Sequence, residues 1–176
     1  MNTTADAIRR VCTAQTTLPT PLGAVLFVRT AQGLAGAWFA EQKHHPGDFA
    51  APQRADDALL QRAAALFLAS LTRSAARHEP LELALDLHGT PFQCAVWRAL
   101  MAIPRGTTRS YGQIAEAIGA PRAVRAVGGA IARNPLSVLV PCHRVVGGDG
   151  SMTGYAGGLE RKRALLELER EALANA

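Results

Sequence analysis

Residues 138–146 place a cysteine and a histidine, Cys142 and His143, side by side within a run of valines and leucine. A run this apolar is expected inside a fold, so the chain has to bury two reactive side chains together. A thiol is a nucleophile only when it is ionised, and an adjacent imidazole can accept its proton directly or through one water. Burial against the valines has the opposite effect and keeps the thiol neutral. We therefore interpret the pair as a shielded nucleophile.

Two other interpretations of this pair stay open from the residues alone. A cysteine in an apolar run is often a small core residue without chemistry, and adjacent Cys and His can both be metal ligands. Zinc sites need further ligand pairs at short spacing, which the sequence does not show, so we expect no metal. The three cysteines, Cys12, Cys94 and Cys142, are widely spaced, which argues against a disulfide framework and predicts a reducing compartment.

The composition indicates a globular protein, since 48% of the 176 residues are hydrophobic and 19% are charged. No apolar run approaches the ~20 residues of a membrane span. Residues 1–15 lack the apolar centre of a secretory signal, so we expect a bacterial-type cytoplasmic protein. The net charge of +5 favours an anionic partner such as nucleic acid.

Residues 1–88 are predicted to form an N-terminal scaffold domain, a small antiparallel sheet with helices. Apolar runs separated by turns are typical of a hairpin, and leucines alternating with polar residues are typical of a strand that joins it. We find no catalytic constellation here and interpret His44, His45 and His78 as solvated. The predicted elements are a hairpin at 24–29 and 34–39, a loop at 44–52, a helix at 55–76 and a strand at 81–87.

Residues 89–176 are predicted to form a mostly helical C-terminal domain, which assigns the whole chain to the α+β class. A short helix, a glycine turn and a second helix make a helix-turn-helix pattern. An extended stretch at 136–140 and a glycine-rich loop precede the last helix. The signals are Thr90 as a cap before Pro91, a capping box of Ser110 with Gln113, a turn at Gly119, and helices at 121–133 and 159–173.

The helix predicted at 121–133 has one apolar face and one basic face when its residues are placed at about 100° intervals. The basic face carries arginines with a glycine among them, where a partner's backbone could approach closely. Arginines on such a face would contact phosphates, although a solvated basic face has the same pattern. The basic face comprises Arg122, Arg125, Gly129 and Arg133.

A carboxylate, Glu169, lies in the middle of the apolar arc of the last predicted helix, and Lys162 also projects there. A buried carboxylate needs a partner, because removing it from water costs several kcal/mol. His143 is a suitable partner, since Glu169 could accept from one ring nitrogen and leave the other facing Cys142. An ordinary Glu-Lys or Glu-Arg pair at the rim of the fold is the alternative.

Five motifs, in order along residues 89–169, resemble the O6-alkylguanine-DNA alkyltransferases, also called methylated-DNA–protein-cysteine methyltransferases. The acceptor cysteine is present, whereas the zinc ligands of some relatives are not apparent. The N-terminal segments TPLG and GLAGAWF fit more weakly. The motifs are GTPFQCAVWRAL at 89–100, IPRGTTRSYGQIA at 103–115, RAVGGAIARNP at 125–135, VPCHRVVGGDGS at 140–151 and TGYAGGLERKRALLELE at 153–169.

The resemblance implies a role for each matching residue. Cys142 would accept the alkyl group, His143 would activate it through a water, and Glu169 would orient His143. Asn134 would brace the turn around the site, and Tyr111 would donate a hydrogen bond to the purine. The base pocket would be lined by Val145 and by the backbone of Tyr155 and Ala156. The DNA contacts would come from Arg122, Ala123, Gly128 and Gly129, with Arg125 filling the gap left by the flipped nucleotide.

The implied function is DNA repair by a helix-turn-helix protein that flips the base. The protein would move the alkyl group of O6-alkylguanine, and of O4-alkylthymine, to its own cysteine once per molecule. It would need no cofactor, bind double-stranded DNA through the minor groove and act as a monomer. Two alternatives remain: a hydrolase with a Cys-His-Glu triad, and a non-catalytic DNA-binding regulator in which the cysteine is core.

Overall fold

The structure is a computed structural model that describes residues 3–72 and 82–174, without the side chain of Leu173. The predicted exposure of His78, the predicted end of a helix at residue 76 and the predicted start of a strand at Leu81 lie outside the described residues.

The N-terminal part is built on a three-stranded antiparallel sheet with the strand order β1-β2-β3. The predicted hairpin is confirmed, because β2 and β3 pair along their length. The sequence does not predict α1, which has only six residues, or β1, whose mostly polar sequence becomes a strand by pairing with β2. The elements are α1 (Thr4–Arg9), β1 (Cys12–Leu18), β2 (Val25–Thr30) and β3 (Leu34–Phe39).

One helix, α2 (Ala58–Ser70), covers the sheet. It begins later than predicted because the Asp57 side chain caps it, accepting hydrogen bonds from its first free amides. The ring of Phe67 packs edge-on against Phe27 and Phe39, with centroid distances of 5.5 and 5.7 Å. These aromatic contacts fasten the helix to the sheet and form the N-terminal end of the core.

The strand predicted at 81–87 is not present among the described residues 82–88. A single parallel bridge joins Leu85 to Leu34 at the start of β3. Further along the same edge, Ala37 bridges to a C-terminal segment instead. The alternating leucines therefore meet the hairpin at one point, because a non-local partner occupies the edge that they would need.

The C-terminal part is mostly helical, which confirms the α+β class. Thr90 is the N-cap of its helix as predicted, and its pairing with Gln93 completes a capping box; the capping box predicted for Ser110 with Gln113 is also present. Gly119, with φ +71°, forms the turn between α4 and α5. The elements are α3 (Pro91–Met101), β4 (Arg109–Ser110), α4 (Tyr111–Ala117), α5 (Val124–Ala132), a 3-10 helix (Cys142–Arg144), β5 (Val145–Val146) and α6 (Leu159–Ala174).

Two predictions in this part are wrong, one on the start of a helix and one on the conformation of residues 136–140. The helix predicted from residue 121 begins at Val124, so Arg122 precedes it and Ala123 is an N-cap without a side-chain hydrogen bond. The stretch at 136–140 is a series of turns and not an extended strand. Val138 has φ +68° there, a left-handed conformation that a β-branched residue rarely adopts.

The main hydrophobic core is continuous across the predicted boundary between residues 88 and 89. Trp97 lies at its centre, fully buried, and its indole N–H donates to the carbonyl of Ala130 at 2.9 Å. This bond fixes α3 against α5. The division into domains at 1–88 and 89–176 stays a prediction. None of the described helices is both long enough and apolar enough to cross a bilayer.

Candidate active site

Cys142 begins the 3-10 helix, and Asn134 holds its sulfur. The Asn134 amide donates to Cys142 Sγ at 3.1 Å and to Val140 O at 2.8 Å. Its carbonyl oxygen accepts from Leu136 N at 3.0 Å. All of these groups are buried, so a single side chain fixes both ends of the turn and positions the thiol at its end.

His143 and Glu169 form a buried pair, with side chains 1% and 3% exposed. The His143 Nε2 lies 2.9 Å from Glu169 Oε1. A carboxylate can only accept, so Nε2 carries the hydrogen and the neutral ring keeps its lone pair on Nδ1. That Nδ1 is buried without a hydrogen-bond partner among the described residues. It is therefore a base whose accepting atom is available.

Arg144 completes the environment of Glu169. Its Nη2 donates to Oε1 at 2.8 Å, and its Nε lies 3.1 Å from both carboxylate oxygens. The backbone amide of Gly106 donates to Oε2 at 2.9 Å. The Glu-Arg pair considered from the sequence thus exists, but it is buried and shares its carboxylate with His143. No motif pointed to a role for Arg144, although it is next to His143 in the sequence and could therefore pair with the predicted buried carboxylate.

The charges in this cluster favour an anionic Glu169 beside a neutral His143. Burial raises the pKa of Glu169, but the contacts with His143 and Arg144 outweigh burial and lower the pKa to about 2. Arg144 is permanently charged, so the carboxylate stays ionised whether or not His143 binds a proton. Burial lowers the pKa of His143, against the influence of Glu169. Burial also raises the pKa of Cys142, which keeps the resting thiol protonated.

Lys162 is a second buried cation near the thiol. It is fully buried, and its Nζ donates to Val145 O at 2.5 Å and to Thr153 O at 2.7 Å. Burial lowers its pKa to about 8, so most of the ammonium is still charged near neutral pH. This charge, together with the Asn134 hydrogen bond, lowers the pKa of Cys142 and opposes burial. The sequence showed that Lys162 points inward, but not what it binds.

A cavity of about 670 Å³ opens beside this cluster, between α5 and the glycine-rich loop before α6. Four residues predicted to contact the base or the DNA line it: Tyr111, Gly128, Tyr155 and Ala156. Val145 is fully buried and is not among the lining residues, and neither is Cys142. The full lining is Lys43, Tyr111, Gly128, Ile131, Ala132, Gly147, Thr153, Gly154, Tyr155, Ala156, Gly158 and Leu159.

Tyr155 links the cavity to the cluster. Its ring lies edge-on to His143 with centroids 6.5 Å apart. Its hydroxyl is buried and has no hydrogen-bond partner among the described residues. Burial raises its pKa well above the usual range, and ionisation of Cys142 would raise it further, so the phenol stays protonated and can only donate or accept hydrogen bonds.

The predicted DNA-contacting residues lie along α5 and the turn before it. Arg122 and Arg125 are exposed, and Ala123 and Gly129 are half-buried. Arg133, also exposed, folds back so that its Nη1 donates to Gly129 O at 3.0 Å. The free basic surface of α5 is therefore concentrated at its N-terminal end. In the described ranges, no group of three or more His, Cys, Asp or Glu side chains could hold a metal ion.

Known proteins share both the sequence and the fold. Residues 91–171 match the family model of the 6-O-methylguanine DNA methyltransferase, DNA binding domain. A methylated-DNA–protein-cysteine methyltransferase of Mycobacterium tuberculosis is 62% identical over 89 residues, 51% of this chain and about half, 54%, of the relative. One from Mycolicibacterium paratuberculosis is 43% identical over 156 residues, covering 88% of this chain and 90% of the relative.

A solved structure extends the similarity to three dimensions. The crystal structure of Mycobacterium tuberculosis OGT in complex with DNA superposes with a TM-score of 0.78 at 41% identity, covering 90% of this chain and 94% of that one. The resemblance predicted from the five motifs is confirmed by these matches over nearly full length. The chain belongs to the methylated-DNA–protein-cysteine methyltransferase family.

Proposed function

We propose that this protein repairs DNA by transferring the alkyl group of O6-alkylguanine to the sulfur of Cys142, once per molecule. The observation that carries the proposal is the buried thiol held by Asn134 beside a His143 whose free Nδ1 is a base. The name of the relatives, methylated-DNA–protein-cysteine methyltransferase, describes the same transfer and supports the proposal. The same pocket would accept O4-alkylthymine, where the alkyl group sits on an equivalent exocyclic oxygen.

The reaction begins with a proton transfer. The Cys142 thiol makes no direct hydrogen bond to His143 Nδ1, so one water carries the proton between them. The imidazolium that forms is stabilised by the carboxylate of Glu169 at Nε2. Lys162 and Asn134 stabilise the new thiolate. Because burial opposes ionisation, the thiolate is a minor species that is consumed by attack on a base already bound in the cavity.

The second step is a substitution at the alkyl carbon. The sulfur lone pair forms the S–C bond while the C–O bond breaks, and its electron pair goes to guanine O6. Tyr111, at the cavity wall, donates a hydrogen bond to the purine and so stabilises the charge that develops on it. The product is a thioether, which offers water no good leaving group. Each molecule therefore acts once.

The burial of Cys142 requires the damaged nucleotide to leave the duplex. Arg125, exposed near the start of α5, would enter the stack in its place. Arg122 and the small residues Ala123, Gly128 and Gly129 would let α5 approach the backbone closely in the minor groove. The protein would act as a monomer on double-stranded DNA, in a compartment reducing enough to keep Cys142 a free thiol, such as the bacterial cytoplasm.

The decisive test is a count of transfers. The wild-type protein is incubated with excess duplex carrying labelled O6-methylguanine, and the masses of the protein and of the DNA are measured by mass spectrometry. We expect at most one label per chain, located in the peptide that contains Cys142. Repeated turnover would favour a hydrolase built on the His143–Glu169 pair, and tight DNA binding without transfer would favour a regulator. Either result would overturn the proposed function.

The Arg125→Ala variant should separate base flipping from alkyl transfer. Unstacking a nucleotide costs a few kcal/mol, so losing the residue that fills the gap should slow repair of duplex by about 10- to 100-fold. Transfer from free O6-benzylguanine, which needs no flipping, should stay within about twofold of wild type. Arg98→Ala removes an exposed arginine from α3 and serves as the control. Equal losses on both substrates would exclude the flipping role.

A further inference from the structure

The loop that lines the cavity is held in place by the N-terminal part of the chain. Lys43 N, just after the sheet, donates to Ala156 O at 2.8 Å. Arg161 Nη1, at the start of α6, donates to Gly157 O at 2.9 Å, and its Nε donates to Leu22 O at 2.6 Å. Two successive carbonyls of the loop are thus tied, directly or through one guanidinium, to the N-terminal part.

The guanidinium of Arg161 occupies a fitted position between the two parts. It lies over the ring of Phe39 at 4.8 Å from the centroid, and its Nη2 lies 3.9 Å from Glu41. At Gly23, where φ is +112°, a Cβ would lie 2.9 Å from the same Nη2. The turn before β2 therefore needs glycine for its backbone conformation, and a Cβ there would displace the end of the Arg161 side chain.

The loop needs such a tether because its own sequence does not fix its shape. Gly154 and Gly158 adopt positive φ, and Gly157 lies between Gly158 and the cavity-lining Tyr155 and Ala156. Glycines lose more conformational freedom on ordering than other residues, so a segment rich in them populates many conformations unless other contacts restrain it. Lys162 and His143 contact Thr153 and Tyr155 from the C-terminal part, whereas Lys43 and Arg161 tie the carbonyls of Ala156 and Gly157 to the N-terminal part.

We propose that Arg161 is a positioning residue that fixes residues 155–158 against the N-terminal sheet and thereby sets the shape of the base cavity. This inference rests on the proposed alkyl transfer. It gives the N-terminal part a function, which is to hold one wall of the substrate cavity while α5 holds the other. A base that enters an untethered cavity still binds, but its alkyl carbon is misaligned with Cys142.

The test compares Arg161→Met with Arg163→Met, which removes an exposed arginine from the same helix. Methionine keeps an apolar stem over Phe39 but donates no hydrogen bond. The rate of single transfer at saturating damaged duplex should fall about 10- to 100-fold for Arg161→Met, because small misplacements of reacting atoms slow reactions by such factors. The duplex concentration for half-maximal rate should change less than about twofold, since α5 is untouched.

Arg161→Lys keeps the positive charge but cannot bridge two carbonyls as a guanidinium fork does, so it should recover only part of the rate. Hydrogen exchange gives a readout independent of activity: the amide of Lys43 should exchange about tenfold faster in Arg161→Met and unchanged in Arg163→Met. If the wild-type protein transfers no alkyl group, the proposed function fails, and the Lys43 amide alone then decides whether Arg161 holds the loop.

Three results would overturn the positioning role. The first is a wild-type saturated rate in Arg161→Met. The second is a loss expressed in the half-maximal duplex concentration instead of the saturated rate, which would make Arg161 a DNA contact. The third is a wild-type saturated rate in Arg161→Lys, or a loss of rate in Arg163→Met equal to that in Arg161→Met. Either would mean that the rate depends on positive charge and not on the hydrogen bonds of Arg161.

Discussion

Replacing Cys142 with serine should abolish alkyl transfer and leave the protein folded and able to bind damaged DNA. A hydroxyl is a far weaker nucleophile than a thiol at the pH where His143 acts as the base. Burial, which already raises the pKa of the thiol, disfavours an alkoxide even more. The smaller oxygen can still accept the hydrogen bond from the Asn134 amide that Sγ accepts in the wild type. We therefore expect stability to fall by no more than about 1–3 kcal/mol.

The measurement is the mass of the protein after incubation with excess duplex carrying labelled O6-methylguanine. Cys94→Ser is the matched control, because Cys94 is a half-buried thiol whose contacts are with the backbone carbonyls of Leu87 and Gly89 and not with the residues of the cluster. That control should still take up one label per chain. Cys142→Ser should take up none while retaining wild-type affinity for the duplex. A label on another residue of Cys142→Ser would show that the acceptor has been misidentified.

The local elements of the fold could be predicted because their signals are local. The N-cap at Thr90 and the capping box of Ser110 with Gln113 depend on residues at most three positions apart, and both form as predicted. The hairpin of β2 and β3 depends on two apolar runs and the turn between them. In each case the hydrogen-bond partners of the backbone lie within the same short stretch of sequence, so the local pattern is enough to predict the element.

The elements that failed depend on distant partners. β1 has few apolar residues and becomes a strand because β2 accepts it along one edge. The stretch at 82–88 has the alternation of a strand, yet the β3 edge is shared with Leu136. The turns at 136–140 are fixed by the Asn134 side chain, whose bonds to Leu136 and Val140 no periodicity could reveal.

The residues of the site also differ in whether a sequence pattern can identify their partners. An inward-facing carboxylate on an apolar helix face must have a partner, which made His143 a candidate for Glu169 beside a Lys or Arg, and the contact with His143 exists. The requirement does not say how many partners the carboxylate has, so it does not predict that Arg144 also binds Glu169. Lys162 and Arg161 bind backbone carbonyls, which every residue has, so no sequence pattern identifies those partners.

Replacing Glu169 with glutamine should lower both the stability of the protein and its rate of transfer. The amide cannot neutralise Arg144, whose side chain is only 13% exposed, and breaking a buried ion pair from one side costs about 3–5 kcal/mol. The imidazolium formed at His143 also loses its counter-charge. The removal of a general-base relay of this kind slows transfer by about 10²- to 10⁴-fold.

The stability difference between wild type and Glu169→Gln should depend on pH. The pKa of Glu169 is lowered from 4.5 to about 2 in the folded protein, so its contribution is complete above pH 4.5 and is lost as the pH falls toward 2. The difference between 4.5 and about 2 corresponds to about 3 kcal/mol. Denaturant unfolding of wild type and Glu169→Gln should therefore differ most near neutral pH, and the gap should narrow below pH 4.5.

Glu167→Gln, which changes an exposed carboxylate on the same helix, should match the wild type in stability and in rate. A gap between wild type and Glu169→Gln that stays constant from neutral pH to pH 3 would mean that the carboxylate contributes by shape and not by charge. Transfer at the wild-type rate in Glu169→Gln would remove the carboxylate from the proton relay. His143 would then have to accept the proton of Cys142 without a counter-charge for the imidazolium.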